Sequence, residues 1–93
     1  MSKVYTVTER LFFNGKALHD PFIVCIGLNR DIAEREILKR IKLIQDDDRE
    51  ISGPYKSIVS WCDDRTYYVK ILYQNNSSAL YKFLIDEYSL IES

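Results

Sequence analysis

Glycine and proline are scarce in this chain, three and two among 93 residues. That excludes collagen-like and low-complexity architectures and leaves a chain built mostly of regular elements. Histidine occurs once and cysteine twice. His19 stands beside Asp20 and Pro21 with no second ligand at a metal-binding spacing, so it reads as a solvated turn residue rather than a general acid–base. Cys25 and Cys62 lie inside apolar runs, where cysteine behaves as a small hydrophobe; both are expected as buried free thiols. No apolar run reaches the roughly 20 residues that span a bilayer. The opening MSKVYTVTERLFF has no signal-peptide core, and a cytoplasmic location with no membrane association is expected. P-loop, GxGxxG, CxxC and GxSxG motifs are all missing, and no motif calls for a cofactor.

An excess of one charge is also lacking. Thirteen Lys and Arg face 14 Asp and Glu, for a net charge of −1. That argues against a chain whose whole surface grips phosphate, and against an acidic mimic of DNA. A local basic stripe remains open.

What the chain does have is ordinary hydrophobic content, 46%, and seven tyrosines. A phenol prefers one apolar side and one wet end, so many of these rings should be half-buried. The length fits one domain spanning 1–93.

Residues 3–13, KVYTVTERLFF, alternate. Tyr5, Val7, Leu11 and Phe13 share one face, interrupted only by Glu9; Thr6, Thr8 and Arg10 share the other. Asn14-Gly15 marks a tight turn. Pro21 cannot donate to a ladder, so a second strand is expected over 22–28 after the loop GKALHDP. Asn29 and Asp31 are N-cap candidates for a helix over 31–45, with Ala33, Ile37, Ile41 and Ile44 on its inner side. DDDRE, 46–50, places alternating carboxylates without the glycine of a calcium loop, so a solvated linker (46–53) is expected and no metal site.

The stretch IVSWCDDRTYYVKILYQ, 58–74, reads as a hairpin with an acidic tip. An odd-length turn over Asp63, Asp64 and Arg65 brings Tyr55, Val59 and Trp61 opposite Tyr73, Val69 and Tyr67, all facing the core. Asn75 to Ser78 supply loop and cap chemistry, and Leu80, Leu84, Tyr88 and Ile91 predict a second helix over 78–91. Its apolar arc exceeds half the circumference.

The expected fold is α+β: two ββα halves, 3–45 and 54–91, forming a four-stranded antiparallel sheet with two helices on one face. The function expected from it is a small non-enzymatic protein-binding module, a homodimer or an inhibitor or adaptor of the type found among phage and mobile elements. Phe83, Leu90, Tyr81 and Ile85 on the second helix, with Leu38 and Leu43 on the first, would form its protein-docking surface. The alternative is nucleic-acid binding, through a basic helix stripe of Arg35, Lys39 and Lys42 or through an open sheet face carrying Lys56, Tyr68 and Lys70. A small nuclease centred on His19 ranks last.

Overall fold

The computed structural model of the chain describes residues 2–46 and 55–90. Along it run β1 (Ser2–Phe13), β2 (Lys16–Ala17), β3 (Phe22–Gly27), α1 (Arg30–Asp46), β4 (Tyr55–Cys62), β5 (Thr66–Tyr73) and β6 (Ser78–Leu90). The strands form one antiparallel sheet in the order β2-β1-β6-β5-β4, with β3 also pairing β1. The fold is α+β, with one helix and six strands among the described residues, and the expected four strands and two helices are corrected accordingly. Of the linker expected over 46–53, Asp46 is the last residue of α1 and 47–53 lie outside the described residues, as does the helix position Ile91.

The second expected helix is the long strand β6. It pairs with β1 from Ser2↔Leu90 to Phe13↔Ala79 and with β5 from Leu72↔Ser78 to Thr66↔Leu84. The wide apolar arc is what a strand inside a sheet produces. Ala79, Tyr81, Phe83 and Ile85 alternate toward the core, while Leu80 and Leu84 alternate toward the other face. Two superposed period-two rows mimic a broad helical stripe when projected at 100° per residue. Tyrosine, phenylalanine and isoleucine favour the strand, and two flanking strands satisfy its backbone. Asn76, at φ 70°, turns the chain between β5 and β6 and donates its N–H to the Tyr73 carbonyl (3.0 Å). The Asn-Ser segment is therefore a hairpin loop and not a helix cap.

Other local signals act as expected. Asn14 and Gly15 take φ of 51° and 83°, which brings Phe13 opposite Lys16 in a two-residue turn. The expected loop GKALHDP departs from this in part: the short β2 starts the return at once, and pairing resumes at Phe22 after Pro21 as expected. Ile32 N–H donates to Asn29 Oδ1 (2.9 Å), so Asn29 caps α1. Ala33, Ile37 and Ile41 of α1 are buried on Val7, Val69, Ile71, Tyr73, Phe83 and Ile85 of the sheet.

Glu9 joins that core as its one buried charged residue among those described, 3% exposed. It does not break the β1 face at random, because Arg40 reaches down from α1 to it. Arg40 Nε and Nη2 both donate to Glu9 Oε1, at 3.1 and 2.7 Å. The bridge clamps helix to sheet.

The β4–β5 hairpin departs from the expected register. Tyr55 does oppose Tyr73, but an irregularity between Tyr55 and Ser57 inserts one extra residue in β4. From there to the tip the pairs are Ile58↔Ile71, Ser60↔Val69 and Cys62↔Tyr67. A bulge of one residue reverses the facing of everything beyond it. Val59 and Trp61 therefore point away from the helix and are 54% and 45% exposed. Cys62 is exposed and Cys25 half-buried, both free, so the expected burial of the two thiols is also corrected.

Candidate functional site

α1 covers one face of the sheet. The other face has no covering element among the described residues, and its composition follows from the register. The row Arg10–Lys82–Tyr68–Trp61 crosses β1, β6, β5 and β4, and the next row is Phe12–Leu80–Lys70–Val59. On the far side of the first row lie Thr8, Leu84 and Thr66. Three cations and three aromatic rings thus interleave within two adjacent rows.

The rings and cations are organised against one another. Trp61 stacks on Tyr68 with centroids 5.0 Å apart and planes 11° apart. Lys82 Nζ lies 5.1 Å from the centre of the Phe12 ring and 5.9 Å from that of Tyr68, a distance at which the ring quadrupole attracts a cation. Asp63, at the hairpin tip, accepts a hydrogen bond from the Tyr68 hydroxyl (3.3 Å) and so fixes that ring from one end. Among the described residues Arg10, Lys70 and Lys82 make no ion pair; the pairs formed there are Lys3–Glu87, Arg30–Glu34, Lys39–Glu36 and Arg40–Glu9.

Two hollows open side by side on this face. One, of about 500 Å³, is lined by Phe12, Trp61, Lys70, Leu80 and Lys82 together with Gly15 and Ser78. The other, of about 310 Å³, is lined by Thr8, Arg10, Thr66, Tyr68, Lys82 and Leu84. Lys82 belongs to both walls. Each hollow pairs aromatic surface with a cation of its own, and each is large enough for a small aromatic group.

Of the residues singled out in the sequence, Tyr68 and Lys70 lie on this face. Lys56 is exposed at the β4 irregularity. Arg35, Lys39 and Lys42 are exposed on α1, where Lys39 is paired with Glu36 at 3.2 Å. The protein-docking residues are scattered. Phe83 and Ile85 are buried in the core and Tyr81 is half-buried, its ring 6.4 Å from that of Phe83. Leu90 ends β6 opposite Ser2, and its side chain lies outside the described residues. Leu38 and Leu43 are exposed on α1. The surplus apolar surface attributed to a C-terminal helix disappears with that helix.

Arg10, Phe12, Trp61 and Lys82 were not picked out from sequence. Alternation already placed Arg10 opposite Tyr5 and Val7. No local signal placed Lys82 beside it or Trp61 in the same row, because that depends on β6 being a strand and on the β4 irregularity.

The perturbed acidities among the described residues are those of Lys3, Cys25 and Tyr67, none of which belongs to the two rows above. Burial raises the Tyr67 phenol, with Glu34 adding to the shift, and burial also raises the Cys25 thiol, with Glu36 adding. His19 is exposed, its ring 5.2 Å from Phe22 and its Nδ1 2.8 Å from the Asp20 carbonyl oxygen. Among the described residues no three His, Cys, Asp or Glu side chains are grouped to hold a metal, and no helix is long and apolar enough to cross a membrane.

No protein-family model matches the chain, and no curated protein and no solved structure is similar to it.

Proposed function

We propose that the chain is a non-enzymatic binding module that takes single-stranded nucleic acid on the uncovered face of its sheet. One observation carries the reading: Arg10, Lys70 and Lys82, unpaired with any carboxylate among the described residues, interleave with Phe12, Tyr68 and Trp61 on that face. Cations spaced among rings suit a chain that alternates phosphates with flat bases. A duplex keeps its bases stacked inside, so it would use only the cations. An unpaired strand uses both. Trp61, at the edge of the sheet, is stacked on one side by Tyr68 and offers its other side to a base. Phe12 and Tyr68 line the two hollows, with Lys70 and Arg10 positioned to meet phosphates.

The test uses Trp61 as its own reporter, since it is the only tryptophan. Titration with a single-stranded homopyrimidine oligonucleotide should quench its fluorescence, and the matching duplex should bind more weakly. Three phosphate contacts predict a slope of log affinity against log salt of about −2, from roughly 0.7 per contact on single strands. Trp61→Ala, followed by anisotropy of a labelled oligonucleotide, should weaken binding about 5- to 150-fold, the equivalent of 1–3 kcal/mol per stacked base. Absence of binding at low salt, or equal affinity for single strand and duplex, would refute the reading.

A further inference from the structure

The edge strand β3 forms a second surface, independent of the nucleic-acid reading. Among the described residues β3 pairs only with β1, so its outer backbone edge is open. Edge strands are usually blunted by charge, proline or irregularity. From Phe22 to Gly27 the sequence is FIVCIG, with no charge and no proline, and its irregularity is a single register shift at Val24. Apolar side chains are exposed on both sides of this edge: Ile23 and Ile26 on the uncovered face, and Phe22 with Leu28 and Ile32 toward the helix end. Ile26 and Leu28 are 68% and 74% exposed. Among the described residues, six of the eleven exposed large hydrophobic side chains fall within residues 18–32, so the exposure there is concentrated rather than scattered.

We infer that β3 pairs antiparallel with β3 of a second copy, closing a twofold dimer whose sheet runs through both chains. Three features select a second copy over a foreign strand. First, the register of β3 on β1 skips Val24, so that Ile23 opposes Thr8 and Ile26 opposes Thr6. That shift puts Ile23 and Ile26 on one face although they are three residues apart. A twofold axis between Val24 and Cys25 then sets Ile23 of one copy opposite Ile26 of the other, on the same face, and the converse. The strand is self-complementary in the sense an isologous contact requires. Second, an uncharged strand meets its own copy without like-charge repulsion, and the net charge of −1 adds little. Third, the five side chains Phe22, Ile23, Ile26, Leu28 and Ile32 offer roughly 500–600 Å² per copy, approaching the about 800 Å² per partner of stable complexes. The open main-chain donors and acceptors of the edge supply hydrogen bonds that apolar area alone does not.

Sedimentation equilibrium over a concentration series tests this directly. The wild-type chain should show a concentration-dependent monomer–dimer equilibrium. Ile26→Lys places a charge on the seam at an exposed position and should weaken dimerisation at least tenfold, with an unchanged far-ultraviolet circular dichroism spectrum. Ile23→Lys should do the same, because the register pairs the two positions. Leu38→Lys, on the exposed side of α1, should dimerise like wild type. A monomer mass at every concentration would overturn the inference. So would mass growing without limit, which marks pairing of β3 with the other open edge, β4, or dimerisation unaffected by either lysine.

Discussion

Arg40→Ala tests whether helix and sheet are held together by charge as well as by apolar packing. The Glu9 carboxylate is 3% exposed, and its cross-strand neighbours are Phe22 on β3 and Phe83 on β6. Its two charge-assisted hydrogen bonds come from Arg40. Removing the guanidinium leaves a carboxylate among aromatic side chains. Breaking a buried pair from one side typically costs 3–5 kcal/mol. The Arg40 side chain is 41% exposed, so water can enter where the guanidinium stood, and the lower end applies, about 3 kcal/mol. For a domain of this size each kcal/mol moves the midpoint about 4–8 °C, giving a fall of about 12–24 °C. Urea denaturation followed by far-ultraviolet circular dichroism measures the free energy directly. Replacing both partners, Glu9→Leu with Arg40→Leu, should restore stability to within about 1 kcal/mol of wild type or exceed it, because no charge is then left in the core. An Arg40→Ala loss below about 1 kcal/mol, or a double variant as unstable as the single one, would refute the clamp.

Two further outcomes follow from the same structure. Phe83→Ala should cost about 3–5 kcal/mol in urea denaturation, since Phe83 is fully buried; Leu38→Ala, on the helix exterior, should stay within about 0.5 kcal/mol of wild type. Burial raises the Tyr67 phenol above the ordinary tyrosine value of about 10, so the unfolded chain releases that proton first as pH climbs. Stability should therefore be intact below pH 10 and fall as pH rises from there through the folded-state value, and Tyr67→Phe should flatten that fall in alkaline denaturation curves.

Legibility from sequence tracked how local each signal is. Asn14-Gly15 needs only its own positive φ values, and the cap at Asn29 only the first turn of α1, so both are readable from a few residues. The pattern over 78–91 predicts a helix where a strand forms because an apolar set that is dense enough fits both periods, and what separates them is whether two other strands are present to satisfy the backbone. At the hairpin tip, hydrophobic parity carried along the whole of β4 predicts a register the structure does not have. The irregularity between Tyr55 and Ser57 keeps the Tyr55↔Tyr73 pair and reverses the rest. Tyr68 and Lys70 kept their place through that reversal: they are on β5, whose facing is set by Val69, Ile71 and Tyr73 in the core. Trp61 changed faces and joined them.

Composition and alternation by themselves determined that this chain forms a mixed fold around an aromatic-rich core, with β1 presenting Tyr5 and Val7 to one side and Arg10 to the other. They also determined the helix α1, whose apolar stripe and cap are contiguous in the chain. Only the tertiary structure decided that β6 lies between β1 and β5, that Glu9 is answered by Arg40, and that on the uncovered face Trp61 stacks on Tyr68, over which Lys82 also lies. The reason is that strand pairing and register are agreements between segments distant in sequence. A single inserted residue, energetically small and locally silent, settles which side of a sheet an entire row of side chains occupies.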